Sequence, residues 1–112
     1  MLVCRMEALS REEQARHRQL SHALGASLRG HRELPDGFEF ELLDDGNLFR
    51  QATEWIPLER RCCPFLSFRL EWEAEGPVRL QLIGPPGVKD FLKAELPALG
   101  GATPASGARP GE

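Results

Sequence analysis

Three short segments alternate between apolar and polar residues, and this pattern most constrains how the chain can fold. Residues 38–42 read Phe-Glu-Phe-Glu-Leu, residues 68–72 read Phe-Arg-Leu-Glu-Trp, and residues 78–82 read Val-Arg-Leu-Gln-Leu. Successive side chains of a strand point to opposite faces of its sheet, so each segment predicts a strand with one buried face. The turn residues 75–77 (Glu-Gly-Pro) lie between the last two segments and predict a hairpin.

Helices are predicted before, between and after these strands. The first begins at a capping box, Ser10 to Glu13, carries leucines at positions 20, 24 and 28, and ends near Gly30. The turn signal Pro35-Asp36-Gly37 follows this helix.

The second predicted helix runs from about Leu48 to Cys62. We expect a kink or restart at Pro57 because an interior proline removes a helical hydrogen bond. Pro64 disfavours helical geometry at the residue before it and so sets the end of this helix. The third covers about 88–96.

The element order α-β-α-β-β-α predicts an α+β fold. A right-handed crossover through the second helix leaves room for the third strand between the first two. We therefore expect a three-stranded antiparallel sheet of order 1-3-2, a split βαβ arrangement resembling a truncated ferredoxin-like layer, with helices packed on one face. Direct parallel pairing of strands one and two is the alternative. Residues 1–96 form the predicted single domain, and the Gly/Pro/Ala-rich residues 97–112 a disordered tail.

Charge and hydropathy narrow the classes of function. The net charge is −3 and the pI about 5.6, which argues against a dominant nucleic-acid role. No apolar run is long enough for a membrane span, and residues 1–7 are too short and polar for a signal peptide. We therefore expect a cytoplasmic protein, a monomer or homodimer, whose three cysteines are free thiols in a reducing compartment.

The adjacent pair Cys62-Cys63 is the feature with the most chemistry. Neighbouring Cα atoms lie about 3.8 Å apart across a trans peptide, whereas unstrained disulfides need about 4.4 Å or more, so an ordinary disulfide is not expected. Zinc sites usually pair cysteines two to four residues apart, and adjacent cysteines do not fit that spacing. A soft ion such as mercuric or cuprous ion matches two thiolates with few other ligands.

Neighbouring residues act on these thiols in opposite directions. The helix C-terminus and Glu59, one helical turn before the pair, disfavour a thiolate, whereas Arg60 and Arg61 favour it. Metal binding removes this conflict because a coordinated thiol is deprotonated outright. We predict Cys62 and Cys63 as metal ligands, Cys4 as an optional third ligand if the N-terminal arm folds over the helix end, and Glu59 and Arg61 as residues that adjust the thiols without binding the ion.

A purely structural role for the cysteines is the competing interpretation. Cysteine packs as a small apolar residue and is among the most buried residue types. His17 and His31 lie near the leucine stripe of the first helix, and His22 points elsewhere, so we interpret these histidines mainly as packing or surface residues. No catalytic residue is predicted. Exposure of the two sulfur atoms separates the two interpretations.

Segment 59–66, Glu-Arg-Arg-Cys-Cys-Pro-Phe-Leu, resembles a motif of small uncharacterised bacterial proteins. The same Cys-Cys-Pro-Phe element is similar to one appended to some MerR-type heavy-metal regulators, and some members are encoded near mercury-resistance genes. The resemblance extends from about Cys4 to Leu96. It implies association with a soft metal and with a metal-resistance protein or regulator. Pro57 departs from the group, in which the helix before the cysteines usually runs without a break.

Together these observations predict a small thiol protein that sequesters or transfers a thiophilic metal or metalloid ion without chemical turnover. The alternative is a structural or regulatory interaction module whose cysteines are packing residues. Thiol redox catalysis is the least favoured possibility, because the chain has no Cys-x-x-Cys spacing and no clear thiolate activation.

Overall fold

A computed structural model describes residues 2–96 as four strands and three α-helices, preceded by a short 3₁₀ turn. The elements in chain order are the 3₁₀ turn Met6–Ala8, α1 Arg11–Ala26, β1 Leu28–Leu34, β2 Gly37–Leu42, α2 Gly46–Cys62, β3 Ser67–Trp72, β4 Val78–Ile83 and α3 Val88–Glu95. The predicted tail, residues 97–112, lies outside the described residues.

The sheet corrects the predicted topology. It has four antiparallel strands in the order β1-β2-β4-β3, so the predicted three-stranded sheet of order 1-3-2, and with it the truncated ferredoxin-like layer, is wrong. The additional strand, β1, lies where the first helix was expected to end. Every strand pair is antiparallel, so the direct parallel pairing considered as an alternative does not occur among the described strands.

The first helix is shorter than expected because its C-terminal end is capped earlier. The Ser27 hydroxyl donates to the carbonyl of Ala23, and the Ser27 backbone N–H donates to the carbonyls of Leu24 and Gly25. Leu28 continues the leucine spacing in sequence but begins β1. Pro35 and Asp36 then form a two-residue connection in which Leu34 pairs with Gly37, so the turn signal belongs to a hairpin.

The second helix runs as one element through Pro57, so the expected restart is wrong. It is capped at its N-terminus by Asp45, whose carboxylate accepts from the backbone N–H of Asn47 at 2.7 Å. At the other end, the backbone N–H of Cys63 still donates to the carbonyl of Glu59 at 2.8 Å, and Pro64 follows. The helix therefore ends at the cysteine pair, which places both thiols at the junction with β3.

Register aligns the apolar residues of the sheet on one face. Phe38 pairs with Leu82 and Phe40 with Leu80 across β2 and β4, and these four side chains are buried. The opposite face is polar: Glu39 accepts from Gln81 at 2.8 Å and pairs with Arg32 at 3.2 Å. These hydrogen bonds, the one from Gln81 foremost, hold the pKa of Glu39 below its usual value. The core therefore lies between the apolar face and the helices.

Candidate functional site

The N-terminal arm, residues 2–9, folds over the end of α2 and brings Cys4 to the cysteine pair. The Arg5 backbone N–H donates to the Cys62 carbonyl at 2.8 Å, and Leu9 is buried in the core. Arg61 contacts the same arm from the solvent-exposed side. Its guanidinium donates to the Ala8 carbonyl at 2.8 Å and forms an ion pair with Glu13 of α1 at 2.7 Å. The Cys4 thiol consequently lies near both other cysteine thiols, close enough for the three thiols to influence one another's pKa.

The two adjacent sulfur atoms have different nearest partners. Cys62 is fully buried, and its Sγ contacts the thioether Sδ of Met6 at 3.5 Å. Cys63 is 1% exposed, and its Sγ donates to Glu59 Oε2 at 3.7 Å. No disulfide is formed among the three cysteines. The arm and the helix end thus gather four sulfur atoms, and we call this set the sulfur cluster: Cys4, Met6, Cys62 and Cys63.

Burial keeps these thiols in the neutral form. Desolvation, followed by electrostatic interaction with Cys4 and with the Glu59 carboxylate, raises the pKa of Cys62 to about 12. Desolvation and the Glu59 carboxylate raise the pKa of Cys63 further still, and desolvation also raises the pKa of Cys4. Arg61 acts in the opposite direction on Cys62, but it is the weakest of these influences. Without a bound cation the cluster is therefore a set of thiols, not an activated nucleophile.

Glu59 is the one buried charged residue within residues 2–96, with 5% of its surface exposed. Its Oε1 lies 2.7 Å from His17 Nε2 of α1, and its other oxygen accepts from the Cys63 thiol. The His17 ring in turn stacks on Trp55, and the Trp55 indole donates to the Ser21 hydroxyl at 2.9 Å. A series of polar contacts thus connects α1, through Glu59, to the sulfur cluster.

A large cavity opens beside this chain of contacts. Its volume is about 680 Å³, and its walls come from the arm, all three helices and the apolar face of the sheet. Cys4, Cys63, Glu59 and His17 line one part of it, while leucines at positions 24, 28, 42, 80 and 82 line the rest. Cavities of about 300–1,000 Å³ with apolar walls and a few converging polar groups are typical of small-ligand sites.

All five residues singled out from the sequence lie in or next to this region. Cys4, Cys62 and Cys63 come together, Glu59 contacts Cys63, and Arg61 fastens the arm that carries Cys4. Met6 was missed. It follows Cys4 by two residues, so the Cys-x-Met spacing of soft donors was the available signal. His17 was placed near the leucine stripe of the first helix but was interpreted mainly as a packing or surface residue, whereas the structure places its ring 2.7 Å from Glu59.

The other two histidines have different surroundings from His17. His31 is on the edge strand β1, edge-on to Phe38, and burial lowers its pKa. His22 is exposed on α1 at the cavity. Within residues 2–96, no group of three or more His, Cys, Asp or Glu side chains already has the arrangement of a metal site.

Comparison with protein-family models, curated proteins and solved structures gives no match for this chain. None of the helices in residues 2–96 is both long and apolar enough to cross a membrane.

Proposed function

We propose that the protein binds a thiophilic metal or metalloid ion, mercuric or cuprous in character, through the sulfur cluster. The observation that carries this proposal is the convergence of three thiols and one thioether from two distant parts of the chain. Thiolate and thioether sulfur atoms are the donors that such ions prefer over zinc, magnesium or calcium. The ion is cargo, to be sequestered or passed on, and no chemical turnover is invoked.

Ion binding would change the protonation and the rotamers of the cluster. Coordination deprotonates a thiol even where burial raises its pKa, because the cation replaces the missing solvation. The Cys63 side chain would rotate away from Glu59 toward a point shared with Cys62 and Met6, whose sulfur atoms are already in contact. Glu59 then lies beside the ion, and solvent accepts the released protons.

Anaerobic titration with mercuric ion against a competing thiol ligand tests the proposal. Wild type is compared with Cys62→Ser/Cys63→Ser, and sulfur-to-metal charge-transfer absorbance reports binding. We expect the double variant to lose most of the affinity, with smaller losses for Cys4→Ser and Met6→Leu. Equal affinity of wild type and the double variant would overturn the proposal.

A second candidate rests on the near-complete burial of Cys62 and Cys63. In this alternative the protein is a structural or regulatory interaction module, and the cysteines fill space at the helix–strand junction. It predicts that Cys62→Ala or Cys63→Ala lowers the free energy of unfolding and leaves the weak affinity for soft ions unchanged. Partner proteins related to metal resistance, and a relationship to the bacterial Cys-Cys-Pro-Phe group, belong to the first proposal and remain predictions.

A further inference from the structure

The cavity has a buried carboxyl group, that of Glu59, and mostly apolar walls. Glu59 is 5% exposed, and its carboxylate faces a space lined by Phe40, Leu42 and Leu80. A carboxylate in such surroundings is costly unless a cation or several hydrogen bonds compensate for the lost water. Its two oxygens contact the His17 ring at 2.7 Å and the Cys63 thiol at 3.7 Å.

Neither contact supplies a fixed positive charge. His17 is cationic only when protonated, and the Cys63 side chain carries no positive charge in either protonation state. Across the described part of the chain, the cavity lining contains a second carboxylate, Glu95, and neither lysine nor arginine. Arg60, the next residue in sequence, is exposed, and Arg61 faces outward to Glu13 and the Ala8 carbonyl. The cavity therefore offers negative charge and apolar surface together.

We propose that this cavity binds a lipophilic organic cation, an amine carrying a compact hydrocarbon group. The ammonium donates to Glu59, and the hydrocarbon packs against the leucine and phenylalanine side chains of β2 and β4. A charged hydrogen bond in a dry site supplies orientation, while removal of apolar surface from water supplies the remaining affinity. This site does not depend on ion binding by the sulfur cluster, although Cys63 borders both.

Trp55 lines the cavity, so its indole fluorescence can report the binding of a ligand there. The protein contains two tryptophans, and Trp72 is exposed on edge strand β3, so Trp72→Phe leaves Trp55 as the only indole. Titration of this variant with 1-adamantylmethylamine, followed by indole fluorescence and calorimetry, measures binding of a rigid lipophilic cation. The neutral isostere 1-adamantanemethanol measures the apolar contribution alone.

We expect the amine to bind about tenfold or more tightly than the alcohol, as a hydrogen bond between charged groups implies. Glu59→Gln should remove this difference by weakening the amine, with the alcohol unchanged. Glu54→Gln is the matched control: it lies on the same helix but pairs with Arg16 at the surface, and it should leave both affinities unchanged.

Three results would overturn the inference. The first is that neither the amine nor the alcohol binds to the Trp72→Phe protein. Another is equal affinity for amine and alcohol, which requires no Glu59 variant and so decides the matter even if Glu59→Gln does not fold. The third is unchanged binding in Leu28→Phe, which fills the cavity wall and should weaken both compounds. Cys62→Ser removes a sulfur ligand that does not line the cavity. This variant should still bind the amine, which distinguishes this result from failure of the ion-binding proposal.

Discussion

The buried carboxylate of Glu59 depends on the ring of His17. Their atoms are 2.7 Å apart, and both side chains are largely shielded from solvent. His17→Ala would leave one Glu59 oxygen without this partner, and an unsatisfied buried polar group costs about 1–3 kcal/mol. We predict a loss of this size in the free energy of unfolding, measured by urea denaturation.

Arg16→Ala is the neighbouring control for His17→Ala. It breaks the Arg16–Glu54 pair, whose side chains are 46% and 45% exposed, and exposed pairs contribute little. Its effect should be clearly smaller than that of His17→Ala. Equal losses for the two variants would mean that the Glu59–His17 contact does not support the core.

The buried thiols make stability depend on pH in the alkaline range. In the unfolded chain a thiol ionises near its ordinary pKa of about 8.5, whereas burial raises the pKa of Cys62 to about 12 and that of Cys63 above this. Between these values the unfolded state has lost protons that the folded state retains. Stability is therefore complete below about pH 8.5 and falls as the pH rises toward 12.

The slope of this fall is measurable. Each such thiol lowers the free energy of unfolding by about 1.4 kcal/mol per pH unit within that window. Urea denaturation from pH 8 to 10 under a phosphine reductant should show a steeper decline for wild type than for Cys62→Ala/Cys63→Ala. Parallel declines would show that these thiols are not held neutral by burial.

At the scale of elements, the hairpin β1–β2 is the feature that the sequence did not reveal. Residues 28–34 lack a clear alternation, because β1 is an edge strand with most side chains partly exposed. Leu28 also continues the helical leucine spacing, so the local pattern favoured a helix where tertiary pairing forms a strand. In contrast, β2, β3 and β4 alternate strictly, and their positions were predictable within about two residues.

The site was predictable in its components and not in its geometry. The cysteine pair and Pro64 indicated a helix-to-strand junction, and the capping box at Ser10 is confirmed. Local sequence cannot show which distant segment crosses that junction. The path of the arm depends on contacts across more than 50 residues, such as Arg61 with Ala8 and Cys62 with Met6.

Two glycines test the close packing of β2 against β4 and the exposure of β1. A Cβ on Gly37 would collide with the backbone carbonyl of Leu82, whereas a Cβ on Gly30 would meet nothing within 4 Å. Gly37→Ala should lower the free energy of unfolding by about 1–3 kcal/mol, the usual cost of forced overpacking. Thermal and urea unfolding measure it.

Gly30→Ala is the matched variant in the hairpin, and we expect it to be neutral or slightly stabilising because alanine costs less conformational entropy than glycine. The reverse order of effects would place β1 elsewhere than against β2.

At the scale of the whole molecule, the sulfur cluster joins the arm to the body of the fold. An ion bound there binds the folded chain preferentially, since only folding brings Cys4 and Met6 to Cys62 and Cys63. At a free ion concentration of about 100 times the dissociation constant, this linkage stabilises the fold by about 2.7 kcal/mol. Cuprous ion, buffered under reducing conditions, should raise the melting temperature of wild type accordingly.

Cys4→Ser should reduce this stabilisation, and Cys62→Ser/Cys63→Ser should abolish it, as measured by calorimetry at matched free ion concentrations. A melting temperature raised equally in all three proteins would locate the ion outside the cluster. Preferential binding to the unfolded chain would instead lower the melting temperature of wild type and would contradict the same claim.

The atoms that coordinate the ion decide whether the sulfur cluster is its binding site. X-ray absorption spectroscopy of the protein loaded with one equivalent of mercuric ion counts the sulfur donors and separates them from nitrogen and oxygen. We predict an all-sulfur shell that includes Cys62 and Cys63, with one sulfur fewer in Cys4→Ser. A shell dominated by nitrogen or oxygen, or one that is identical in wild type and Cys62→Ser/Cys63→Ser, would contradict the account.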